Sequence, residues 1–133
     1  MKIDGQCHCG EIAYEANVDE SSVRICHCTD CQSLSGSAFR TNVNTTAADF
    51  KLLRGTPRRY IKVADSGNKR LQAFCGSCGT AIYASAVDNP QVYSLRMGTI
   101  KQRAMLKPRE QIWRTSALNW VDSIAALPGR DGQ

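Results

Sequence analysis

The chain has 133 residues, 42% hydrophobic and 22% charged, a size and balance that suit one globular domain spanning 1–133 rather than a disordered segment. Lys and Arg exceed Asp and Glu by 17 to 12, giving a formal charge of +5, a mild excess that favours an anionic partner. No apolar run approaches the roughly 18–20 residues of a membrane span, and Met1–Gln6 has no apolar core of a signal peptide, so a cytoplasmic setting without membrane contact is expected.

In chain order, Glu11–Asn17 alternates, with Ile12, Tyr14 and Ala16 on one face, and reads as a strand. Ser22–Cys26 is a second. Thr29 is a reasonable N-cap for a short helix over Asp30–Leu34, with Gly36 ending it. Strands follow at Ala38–Asn44, Phe50–Leu53, Arg59–Val63, Arg70–Phe74, Ala81–Ala84 and Val92–Met97, separated by Gly and polar clusters. Asp65-Ser66-Gly67-Asn68 lies between two of them and reads as a hairpin turn. Ser116–Leu127 is either a helix or an irregular packed segment. Trp113 and Trp120 are expected in the core. The pattern is that of an all-β domain of several short antiparallel sheets with one or two short helices, whose limited core metal cross-links would reinforce.

The seven cysteines carry the chemistry. An odd number excludes a complete disulfide set. They form C-x-C at Cys7 and Cys9, C-x-C-x-x-C at Cys26, Cys28 and Cys31, and C-x-x-C at Cys75 and Cys78. Clusters this tight suit thiolates converging on metal, and zinc is the metal that four such ligands favour, with an iron–sulfur cluster or a coincidence of spacing as the alternatives. If each cluster stays whole, only Cys7, Cys9, Cys75 and Cys78 make a closed set of four. Gly10, Gly76 and Gly79 would let the flanking turns aim backbone amides at sulfur. Cys26, Cys28 and Cys31 remain as a three-ligand zinc with an open position. Alternatives for that trio are a zinc closed by another ligand, or free thiols that form disulfides on oxidation. His8 and His27 sit between ligands in extended segments, so their side chains should point away from the metal and serve through hydrogen bonds.

Three thiolates on Zn²⁺ leave a poor Lewis acid that suits a fourth, exogenous thiolate. Thiol activation is therefore the expected chemistry, rather than generation of hydroxide. Arg40, Arg54 and Arg114 are candidates for a basic rim holding an acidic thiol. The basic residues are otherwise scattered, with no interleaved aromatic stripe, and no nucleic-acid partner is expected.

The motifs Cys7-His8-Cys9-Gly10, Cys26-His27-Cys28-Thr29-Asp30-Cys31, Ser35-Gly36-Ser37-Ala38-Phe39, Phe74-Cys75-Gly76-Ser77-Cys78-Gly79-Thr80, Met97-Gly98-Thr99-Ile100 and Ile112-Trp113 resemble those of the glutathione-dependent formaldehyde-activating enzyme family, which includes centromere protein V. The resemblance implies a fold of coiled β-sheets, sometimes called a β-tent, with two Zn²⁺ ions. It implies a structural zinc on Cys7, Cys9, Cys75 and Cys78 and a catalytic zinc on Cys26, Cys28 and Cys31. It further implies a carbon–sulfur lyase joining glutathione to formaldehyde as S-hydroxymethylglutathione. A non-catalytic zinc-binding module and a thiol-based redox sensor are the alternative functions.

Overall fold

The computed structural model describes Met1–Gln133. Ten strands are present: β1 (Lys2–Gln6), β2 (Ala13–Asn17), β3 (Asp19–Cys26), β4 (Arg40–Thr46), β5 (Phe50–Arg54), β6 (Arg58–Val63), β7 (Lys69–Phe74), β8 (Ala81–Ala86), β9 (Val92–Arg96) and β10 (Glu110–Ile112). One α-helix, α1 (Thr29–Ser35), follows β3, and five short 3-10 turns complete the chain. No helix is long and apolar enough to cross a membrane.

The strands form two sheets. A three-stranded sheet runs β1-β2-β5, and a seven-stranded sheet runs β10-β3-β4-β9-β8-β7-β6. The larger sheet is antiparallel except at one edge, where β10 lies parallel to β3. All eight strands read from alternation are found, and the turn at Asp65–Asn68 joins β6 to β7 as expected. The alternation did not reveal β1 and β10. β1 carries a single large apolar residue, Ile3, beside Asp4 and Gly5, and β10 has three residues. Both depend on a neighbouring strand rather than on their own pattern.

The core lies between the sheets. Ile3, Ile12, Tyr14, Val23, Val43, Ile82, Leu95 and Ile100 are fully buried there, and Cys7 and Cys75 belong to the same cluster. Phe50, Tyr83 and Tyr93 pack against it with ring centroids 4.8–5.4 Å apart. A bridge between Gly5 and Ile100 and the bond from the Lys101 amide to the Asp4 carbonyl, 2.8 Å, tie the sheets together.

The C-terminal segment takes the irregular form. It holds 3-10 turns at Arg114–Ser116 and Val121–Ala126. The expectation of core tryptophans fails: Trp113 is 63% and Trp120 51% exposed. Trp113 adopts the left-handed conformation, φ 57°, which turns the chain outward after β10. β10 is an edge strand of the large sheet, and both tryptophans lie in the irregular segment that follows it.

Candidate metal centres and the adjoining cavity

The Sγ atoms of Cys7, Cys9, Cys75 and Cys78 all lie within 4.8 Å of one another. Cys7–Cys9 and Cys9–Cys75 are separated by 3.6 and 3.8 Å. A Zn–S bond of about 2.3 Å in a tetrahedron requires S···S edges of about 3.8 Å, so the donor set has the dimensions of such a site. The turns that follow each pair depend on glycine. Gly10 (φ 81°) and Gly79 (φ 77°) take the left-handed conformation that other residues avoid. Gly76 serves differently: its φ is not positive, and a Cβ there would stand 2.6 Å from Cδ of Arg58.

Backbone and hydroxyl groups are aimed at the sulfurs. The Ile12 amide donates to Cys7 Sγ at 3.2 Å, and Cys78 Sγ lies 3.1 Å from the Thr80 hydroxyl. The Thr80 hydroxyl and amide hold the Cys78 thiol down at about 5. Against the Cys78 amide, which lowers it, burial and the Cys78 and Cys7 sulfurs push Cys75 up to about 12.

Cys26, Cys28 and Cys31 form the second cluster, again with all Sγ atoms within 4.8 Å. Cys26 ends β3, and Cys28 and Cys31 flank the start of α1. Cys28, not Thr29, is the N-cap, its sulfur accepting the Cys31 amide at 3.3 Å, which leaves Thr29 in the first turn. Gly36 ends the helix in the left-handed conformation. Gln32 anchors α1 by donating to the carbonyls of His27 and Ser116, 2.8 and 2.9 Å. Burial pushes the Cys26 thiol up to about 12. Burial also raises Cys31, but the Arg40 guanidinium beside it outweighs this and leaves its pKa lowered.

Neither histidine joins a cluster. The His8 amide donates to Thr80 Oγ1 at 3.1 Å, and its side chain takes no part in the cysteine set. His27 is fully buried, its Nε2 2.8 Å from Gln111 Oε1 and its ring edge-on to Phe39.

A cavity of about 390 Å³ opens beside the second cluster. Its lining is strongly cationic, with Arg24, Arg40, Lys62, Arg70 and Arg96 against one carboxylate, Asp30, which Lys62 engages. Of the three arginines expected on a rim, only Arg40 stands here, and it is buried, not a rim residue. Arg54 donates from Nε to the Gly10 carbonyl at 3.0 Å, beside the first cluster. Arg114 pairs with Asp122 at 2.8 Å on the surface. Sequence reasoning missed Arg96 and its amide partners, Asn42 and Gln72. The signal was present: Arg40, Asn42 and Asn44 alternate in β4, as do Arg70 and Gln72 in β7 and Ser94 and Arg96 in β9.

The family model for glutathione-dependent formaldehyde-activating enzymes matches residues 2–116. This chain belongs to that family. The match contains every cysteine, all of α1 and the whole cationic cavity, and it stops at Ser116, the residue whose carbonyl holds Gln32. The stretch matched by the formaldehyde-activating family thus spans the second cluster and its surroundings, and the irregular segment from Ala117 onward lies outside it. The crystal structure of a Rhodobacter sphaeroides protein superposes with a TM-score of 0.62 at 18% identity, over 81% of this chain and 98% of that one, a likeness of fold.

Proposed function

We propose that the protein is a zinc-dependent, thiol-activating enzyme of the carbon–sulfur lyase type. It adds glutathione or a similar thiol to formaldehyde or another small aldehyde. The observation that carries this reading is the second cluster: three sulfurs together, no fourth protein ligand beside them, and a cavity against them. Asp30 is engaged by Lys62, and neither its carboxylate nor a ring nitrogen of His27 lies within the group of three sulfurs. Family membership supports the reaction class.

Cys26, Cys28 and Cys31 would hold the catalytic zinc, and Cys7, Cys9, Cys75 and Cys78 the structural one. When bound, the zinc supplies positive charge that keeps a substrate thiol ionised at neutral pH. The chain's own groups do the rest. The Cys31 amide holds Cys28 Sγ and fixes the third side of the cluster. Gln32 keeps α1 over the cavity. Arg40 and Arg96 place positive charge where negative charge develops on the aldehyde oxygen as the sulfur–carbon bond forms. The thiol proton is returned to that oxygen, giving the hydroxymethyl product.

Calorimetric titration of zinc-loaded protein with glutathione, with S-methylglutathione as control, tests the reading. Binding of the free thiol alone is the expected result. Equal binding of both, or of neither, would remove the thiol from the cluster and leave a non-catalytic zinc module.

A further inference from the structure

The polar faces of neighbouring strands in the large sheet converge under α1 on two buried arginines. Arg40, at the start of β4, and Arg96, at the end of β9, are each 7% exposed. Arg96 donates to Asn42 Oδ1 and Gln72 Oε1, both at 2.6 Å. Both acceptors are neutral amides. The Nε of Arg96 and the Nε of Arg40 are buried without any partner, and neither guanidinium forms an ion pair with a carboxylate of the chain. Buried cations are ordinarily paired with an acid, and amides that orient a guanidinium do not neutralise it.

The charges around the cavity can be balanced. Lys62 is set against Asp30, and Arg24 against Glu110 at 3.8 Å. Arg40, Arg70 and Arg96 remain, of which Arg40 and Arg96 are buried and Arg70 is exposed. Three cysteine thiolates and one substrate thiolate around a divalent ion carry two net negative charges. The two buried arginines match that charge, and the exposed Arg70 at the edge of the cavity adds one more. Formaldehyde has an oxygen on which charge develops but no carboxylate to pair with these guanidinium groups in the ground state.

We infer that Arg40 and Arg96 form a carboxylate subsite against the three-cysteine cluster, and that the aldehyde taken there is an anionic one of the 2-oxo acid class, glyoxylate being the smallest. The inference rests on the thiol-activating reading above. The guanidinium fork suits a planar carboxylate and a lysine would not match it. In the reaction the thiol sulfur bonds to the aldehyde carbon, the carbonyl π pair moves to oxygen, and that oxygen takes the proton the thiol gave up. Nothing is oxidised or reduced. The arginines hold the carboxylate and so fix which face of the carbonyl meets the sulfur.

The test begins with calorimetric titration of the full chain, metal-free and zinc-loaded, with sodium glyoxylate and no thiol. Wild type should bind, and Arg96→Gln should bind about tenfold more weakly or worse, the loss of a charge-assisted pair. Arg96→Lys, which keeps the charge without the fork, should fall between them, and Arg40→Gln serves if Arg96→Gln does not fold. Failure of wild type to bind, or unchanged binding in the variants, overturns the subsite. Exchange spectroscopy of adduct formation then separates the sources of the carboxylate. Glyoxylate with 2-mercaptoethanol should be accelerated and should depend on Arg96. If the dependence instead follows formaldehyde with mercaptoacetate, the carboxylate belongs to the thiol and the aldehyde assignment is wrong. Arg96-dependent glyoxylate binding with no acceleration of any pair would support the subsite and sink the thiol-activating reading alone.

Discussion

Tyr14 shows what one side chain settles in this fold. Its hydroxyl donates to Thr99 Oγ1 at 2.6 Å, and Thr99 donates in turn to the Arg96 carbonyl at 2.8 Å. Burial pushes the phenol up to about 12, the Thr99 contact opposing it only in part. The folded state therefore holds this proton more tightly than the unfolded chain, where the phenol ionises near pH 10. Its contribution to stability is fully present below about pH 10 and falls by roughly 1.4 kcal/mol per pH unit up to about pH 12. Tyr14→Phe should cost about 1 kcal/mol at neutral pH, the worth of one buried hydrogen bond. Its deficit against wild type should close near about pH 11, as read by urea unfolding at several pH values. A constant deficit across that range would mean the phenol ionises freely. That Tyr14 is buried was legible from the alternation of Ile12, Tyr14 and Ala16. Its partner, 85 residues away, was not.

At the scale of elements, β1 exists because β2 accepts it. Gly5 pairs with Tyr14, and the tyrosine ring lies where a side chain at residue 5 would go. A Cβ there would stand 2.0 Å from the ring Cζ, and the fully buried ring has nowhere to move. Gly5→Ala should destabilise the protein by at least about 2 kcal/mol, seen as a lower urea midpoint with an unchanged slope. A near-neutral result would show that the ring can leave its site. The glycine that hid β1 from the alternation pattern is thus the residue β1 requires. The start of α1 was one residue out for a related reason. N-cap preferences favour hydroxyls and carboxamides, whereas here a sulfur of the three-cysteine cluster takes the cap position.

At the scale of the molecule, the two clusters should differ in what they support. Cys7 and Cys75 belong to the buried core and join the first turn of the chain to its second half. Cys26, Cys28 and Cys31 edge a cavity. Cys75→Ser should abolish or largely abolish folding, because a closed site that opens loses the metal's contribution to the folded state. Cys31→Ser should lose about one zinc per chain and keep a melting temperature close to wild type. Elemental analysis with thermal melts by circular dichroism reads both. Equal collapse of the two variants would contradict the division of labour.

Spacing alone divided seven cysteines into four and three, and these are the two sets whose sulfurs the fold brings within 4.8 Å of one another. Alternation and the turns between them placed eight strands, of which all but β5 and β6 bury residues. Neither could say what the polar faces do. Arg40 and Asn42 in β4, Gln72 in β7 and Arg96 in β9 read as solvent-facing positions in their own strands. Only the order β4-β9-β8-β7 sets those faces side by side, and only the placement of α1 over them turns a polar surface into a cationic cavity. A strand's sequence records which face is polar; whether water or a second element meets that face is decided by where the rest of the chain goes.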